Sequence, residues 1–316
     1  MRGRRLFTAA WAVVGIVIAV LGFGFVISRV AKNWDTVQST IRDANRGWLV
    51  LGFLLAAVGM CFIAIAWKAV LASLGEHVTV RDVVRWYFPG ELGKYVPGGI
   101  WPVVGRAELA RRAGVRRTIS YTSVAMSLVA LYLSALAVVA VALPFQLSAR
   151  HDNTAPFLVV LLLPIGLVAL HPRVLGALLG VASKVTRREL NIAVPPWRTS
   201  LLGVALYSPA WGAIGAGTWC IARALDPRAS FGQVFVAAVL SWVVGFVLVP
   251  VPGGIGVREA AFTATAGLSP GIGATVAVAA RVAFMLIDVA GAVLAPIVMR
   301  RPGPKANPTA ATVPDP

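Results

Sequence analysis

Long, continuously apolar runs separated by short basic or glycine- and proline-rich joints set the pattern of this chain. The first run, Leu6 to about Ser28, follows MRGRR. It exceeds the apolar core of a signal peptide and no small-residue cleavage site follows, so it reads as a spanning helix with a cytoplasmic N-terminus. Residues 29–46 carry mixed charge with Val37 and Ile41 four apart, the pattern of a short interfacial helix. A second span is predicted from about Gly47 to Leu74, with Trp48 and Trp67 placed as interfacial anchors. Further spans are predicted at Thr118–Leu143, Ala155–Leu170, Thr199–Ile221 and Phe231–Val249. Between the fourth and fifth, residues 171–198 are amphipathic and basic, ending at Pro195 and Pro196. Because the runs are continuous and do not alternate, they predict helices and not a barrel.

Two stretches break this pattern, and they share a phrase. Pro97-Gly98-Gly99-Ile100 lies within GELGKYVPGGIWPVVGRAELARR, and Pro252-Gly253-Gly254-Ile255 lies within VPVPGGIGVREAA. An arginine and a glutamate follow each copy: Arg106 and Glu108 in the first, Arg258 and Glu259 in the second. The first copy sits in residues 81–117, too polar and too broken to span, yet too apolar for a solvated loop. A re-entrant pair of half-helices fits both properties, since irregular backbone at membrane depth survives where it lines a cavity. After the second copy, Gly256 to Leu268 reaches only ~20 Å at 1.5 Å per residue, short of the ~30 Å hydrocarbon core. Ser269-Pro270-Gly271 is expected to end that half-helix, and the run from Ile272 to Met299 is long enough to span.

Composition agrees with this outline. Of 316 residues, 58% are hydrophobic and 13% charged, which leaves too little polar surface for a soluble domain of this length. The expected class is an all-α polytopic membrane protein with about six to eight transmembrane helices, two half-helix segments and an internal repeat. Residues 1–299 form one transmembrane domain, and the proline-rich residues 300–316 a disordered tail. The net charge of +17 gathers at the ends of apolar runs, where it sets topology and meets anionic head groups; nucleic acid is not an expected partner. Six spans from a cytoplasmic N-terminus put both basic stretches, 81–117 and 171–198, in the cytoplasm. A seventh puts Arg300, Arg301 and Lys305 outside, so the side of the C-terminus stays open. The membrane expected is the plasma membrane.

Ionisable residues inside apolar stretches are the candidates for function. Arg281 and Asp288 stand seven apart on one helix face, too far to pair simply with each other, so each is expected to find a partner elsewhere. Glu259 suits the start of a half-helix, and Glu91 and Lys94 have the spacing of a local pair. Two Gly-Gly breaks beside arginines favour an anionic group such as phosphate, and apolar walls favour acyl or prenyl chains. The candidate substrate-binding residues are Arg85, Glu91, Lys94, Gly98, Gly99, Arg106, Glu108, Gly253, Gly254, Arg258, Glu259, Arg281 and Asp288. No nucleophile–base constellation or metal-binding spacing is visible, so neither an enzyme nor a metal or other cofactor is expected. Cys61 and Cys220, each inside an apolar run, are expected as small packing residues.

At this point the two motifs carry a resemblance. PGGIGVREAAFTATAGLS and GELGKYVPGGIWPVVGRAE resemble the paired signatures of the lysylphosphatidylglycerol synthase transmembrane-region family, flippase-like membrane proteins. The resemblance marks Gly90, Glu91, Lys94, Pro97, Gly98, Gly99 and Arg106, then Pro252, Gly253, Gly254, Gly256, Arg258 and Glu259. In two-domain relatives this region is thought to flip an aminoacylated phospholipid made by a soluble transferase domain. Only a short tail follows Met299 here, so the expectation is the membrane module without that synthesis. The resemblance implies a membrane module with re-entrant helices and a lipid pathway. The Gly-Gly breaks beside arginines in apolar surroundings add the expected function: a lipid translocase for a phosphate-bearing lipid, either an anionic phospholipid or a polyprenyl-phosphate-linked intermediate. The other readings are a non-transporting scaffold for a cell-envelope glycosyltransferase, and a membrane enzyme using Glu91 or Glu108.

Overall fold

The structure, a computed structural model, describes residues 38, 42–95, 100–143, 162–174, 176–177, 194, 196–247, 254 and 256–299. The predicted first span, two thirds of the interfacial helix at 29–46 and the tail lie outside these, as do Gly98, Gly99 and Gly253. Among the described residues the chain is helical throughout, without strands. It is an all-α polytopic membrane protein.

Helix α1, Arg46–Ser73, starts where Asn45 caps the backbone N–H of Trp48 at 3.2 Å. Thr79 and Asp82 cap α2, Val80–Glu91, reciprocally, and a 3₁₀ turn at Leu92–Tyr95 ends it. Helix α3, Trp101–Arg112, opens with proline at its second position. Then come α4, Arg117–Ala142; α5, Leu162–Ala169; α6, Trp197–Leu225; and α7, Phe231–Val247. Helix α8, Val257–Thr265, is short, and α9, Pro270–Val298, is long. Three helices, α1, α4 and α9, are long and apolar enough to cross a membrane, and α7 is a shorter apolar one. Of the predicted fourth span, α5 is the described part. Pro270 does separate α8 from α9, but as the first residue of α9, a position where its missing N–H costs nothing.

The scaffold is the antiparallel pair α1–α6, the most extensive helix contact among the described residues. A Cβ on Gly52 would stand 2.8 Å from the Gly217 carbonyl, and one on Gly217 would stand 2.8 Å from that of Gly52. Only bare backbone fits there, the close packing by which membrane helices gain contact without a hydrophobic drive. Gly52→Ala is therefore expected to cost about 1–3 kcal/mol, the usual range for overpacking. Unfolding in mild detergent checks it, with Gly212→Ala, whose Cβ meets nothing within 4 Å, as a control that should not lose stability. Trp67 corrects the sequence reading. It is fully buried and donates to Ser123 Oγ at 3.1 Å, so it is core and not an interfacial anchor. Cys61 likewise lies exposed on α1 and not packed inside; Cys220 is buried.

Candidate functional site

Each repeated phrase leads into a short helix, and the arginine of that helix lies back on the preceding helix in the same way. Gly90 of α2 stands seven residues before Pro97, and Gly245 of α7 stands seven before Pro252. The stem of Arg106 fills the space a Cβ on Gly90 would take, and the stem of Arg258 fills that of Gly245. Gly254, at φ +64°, also closes on Arg258, its ideal Cβ position 3.0 Å from Cγ and Cδ. Left-handed backbone of this kind suits glycine. Both guanidinium groups then rest on aromatic rings. Arg106 lies 5.5 Å from the Tyr87 ring and 6.0 Å from that of Trp67, and Arg258 lies 3.6 Å above Trp242.

Between these arginines is a cavity of about 150 Å³. Lys94, Arg106 and Arg258 supply its cations, Glu91 its one carboxylate, and Tyr132, Trp242 and Phe246 much of its wall. Gly254 of the second phrase lines it too, as do Lys94, Pro102 and Arg106 from either side of the first. Arg106, 2% exposed, lies 3.5 Å from Glu91, which also meets Lys94 at 3.4 Å. Lys94 reaches onward to Asp288 at 2.7 Å, and Tyr95 Oη donates to the same carboxylate at 2.6 Å. Asp288 is wholly buried, and its second oxygen, Oδ1, has no hydrogen-bond partner. The Arg258 Nε is likewise buried and without a partner. The lining thus carries three cations and one carboxylate, with Asp288 pairing Lys94 from outside the cavity and the Arg258 Nε–H left without a partner.

A smaller cavity of about 30 Å³ shares Trp242 and Arg258 with the first. In its wall Glu259 does two jobs: it accepts from the Gly256 N–H at 2.6 Å and pairs with Arg281. So Asp288 and Arg281 each have a partner elsewhere, one in the 3₁₀ turn and one at the start of α8. Glu108 and Arg85 do not line the 150 Å³ cavity. Glu108 sits on the exposed side of α3, where hydrogen bonds from Arg111 and Arg112 hold its carboxyl down to about 2. Its folded pKa is depressed, so this local link is present above the ordinary carboxylate range and fades as pH falls towards 2. Arg85 is half-buried on α2.

The model of one family, the lysylphosphatidylglycerol synthase transmembrane region, matches residues 12–295. The chain belongs to this family. A search of curated proteins found no match. Family membership places the chain among membrane proteins of lipid metabolism or transport, in contact with membrane lipids. Sequence reading missed Tyr87, Tyr132, Trp242 and Gly245. An aromatic in an apolar helix carries no mark of the cavity it faces, but the equal spacing of Gly90 and Gly245 from their prolines was there to find.

Proposed function

We propose that this family member moves a phosphate-bearing lipid across the membrane, with the head group passing through the cavity between Arg106 and Arg258. The observation that carries the reading is the lining itself: three cations against one carboxylate, amid aromatic and apolar walls inside an apolar protein. Such a site matches an anionic head on an apolar tail, because cations in a dry setting need an anion and the walls do not. In this reading α2–α3 is a re-entrant pair and α8 a half-helix that follows the apolar α7, and the matched Gly90–Arg106 and Gly245–Arg258 contacts mark the two units as repeats. The basic stretches 81–117, from which the first pair dips, and 171–198 lie on the cytoplasmic side of a plasma-membrane protein. Translocation needs no bond chemistry, and no catalytic group is assigned.

Proteoliposomes holding fluorescent phosphatidylglycerol, or a short-chain polyprenyl phosphate, test the reading and separate the two lipid classes. Arg258→Ala is expected to slow head-group transfer roughly 10- to 100-fold, the worth of one or two charged hydrogen bonds. Arg258→Lys, which keeps charge and loses the planar fork, should recover only part of it. Absence of transfer of either lipid by the wild-type chain, or equal transfer by Arg258→Ala, ends the proposal.

A further inference from the structure

A third cavity, of about 250 Å³, opens where the last turns of α1, the middle of α4 and the first turns of α6 meet. Val70, Met126, Ala130, Leu170 and Leu206 make it apolar. It shares no lining residue with the charged cavity. Leu202 and Leu206, 60% and 41% exposed, stand at its edge, so it opens sideways towards lipid.

Two observations make this a built slot and not merely a surface groove. The first is Ser200, 7% exposed, whose Oγ has no hydrogen-bond partner. The other buried serines, Ser120, Ser123, Ser127, Ser134 and Ser241, each have one. A buried hydroxyl left without a partner costs free energy, and this one faces an apolar space that offers none. The second is Gly203, in the interior of α6, where glycine weakens a helix. A Cβ there would meet nothing within 4 Å, so close packing does not explain the residue; it keeps the slot open. Apolar cavities of ~150 Å³ already admit benzene, and this one is larger. Cations flank the mouth in sequence: Lys68 precedes the wall residue Ala69, and Arg198 precedes Thr199.

We infer that this slot holds one acyl chain of an anionic glycerolipid. Its ester carbonyl accepts from Ser200 Oγ, and its phosphate lies at the level of Lys68 and Arg198. The lipid is resident: it fills the gap among α1, α4 and α6 and is not the molecule that the charged cavity moves. The full chain in liposomes of phosphatidylethanolamine with phosphatidylglycerol carrying an acyl-chain diazirine gives the test. Light should label the α6 segment Thr199–Leu206 in the wild type. Gly203→Leu, a better helix former that fills the slot, should lower this labelling roughly tenfold while thermal unfolding stays at or above wild type. Ser200→Ala, which removes only the hydroxyl, should also lower it, and exchanging the probe for diazirine phosphatidylcholine should do the same. Equal labelling by both probes, or labelling unchanged in both Gly203→Leu and Ser200→Ala, identifies ordinary surrounding lipid and overturns the inference.

Discussion

Lys94→Met should destabilise the protein by about 3 kcal/mol or more, the cost of stranding a buried charge. Asp288 is wholly buried, and Lys94 is the cation bonded to it, with Tyr95 the second donor. Removing the ammonium leaves a carboxylate in a setting that cannot solvate it. Glu91 loses a contact as well but keeps Arg106 beside it. The diagnostic result is the double variant. Adding Asp288→Asn to Lys94→Met removes the stranded charge, so most of the stability should return, although each single change is harmful. Reversible unfolding in mixed micelles measures all three. Strict additivity of the two single losses would show that the 2.7 Å contact carries no coupling energy.

Glu259→Ala should cost about 2–4 kcal/mol, because one carboxylate holds two elements. It caps the first turn of α8 through the Gly256 N–H and binds Arg281 of α9. Gly256 has φ +81°, so the turn that brings its N–H to the carboxylate depends on glycine. Glu259→Gln retains an acceptor for the Gly256 N–H and loses the charge, so it should recover the cap and not the ion pair. Hydrogen exchange separates the two: the α8 amides should open in Glu259→Ala and stay protected in Glu259→Gln. Equal opening in both would place the whole effect in the ion pair.

Helix positions were largely legible because membrane burial demands long apolar runs, and local side chains mark where they stop. The predicted Gly47–Leu74 and Thr118–Leu143 became Arg46–Ser73 and Arg117–Ala142. The Glu259 cap and the Glu91–Lys94 pair were legible for the same reason, since both are set within one turn of chain. Contacts made across the fold were not. Nothing near Asp288 names Lys94 as its partner, and nothing near Trp67 names Ser123. Glu108 stood out by charge and proximity to a motif, properties shared by exposed and cavity-facing residues alike. Its partners proved to be arginines one turn away on the same helix.

The bare-backbone contact between Gly52 and Gly217 bears on how the protein is made. Helix α1 enters the bilayer early in synthesis, yet its main neighbour, α6, emerges only after α2 to α5. Until then the glycine face of α1 has lipid tails against it, and tails do not follow a backbone groove closely. Assembly of the central pair is thus a late event that closes a long loop, whose entropy grows only slowly with length. A nascent chain released before residue 217 would hold α1 inserted but without the backbone partner of its glycine face.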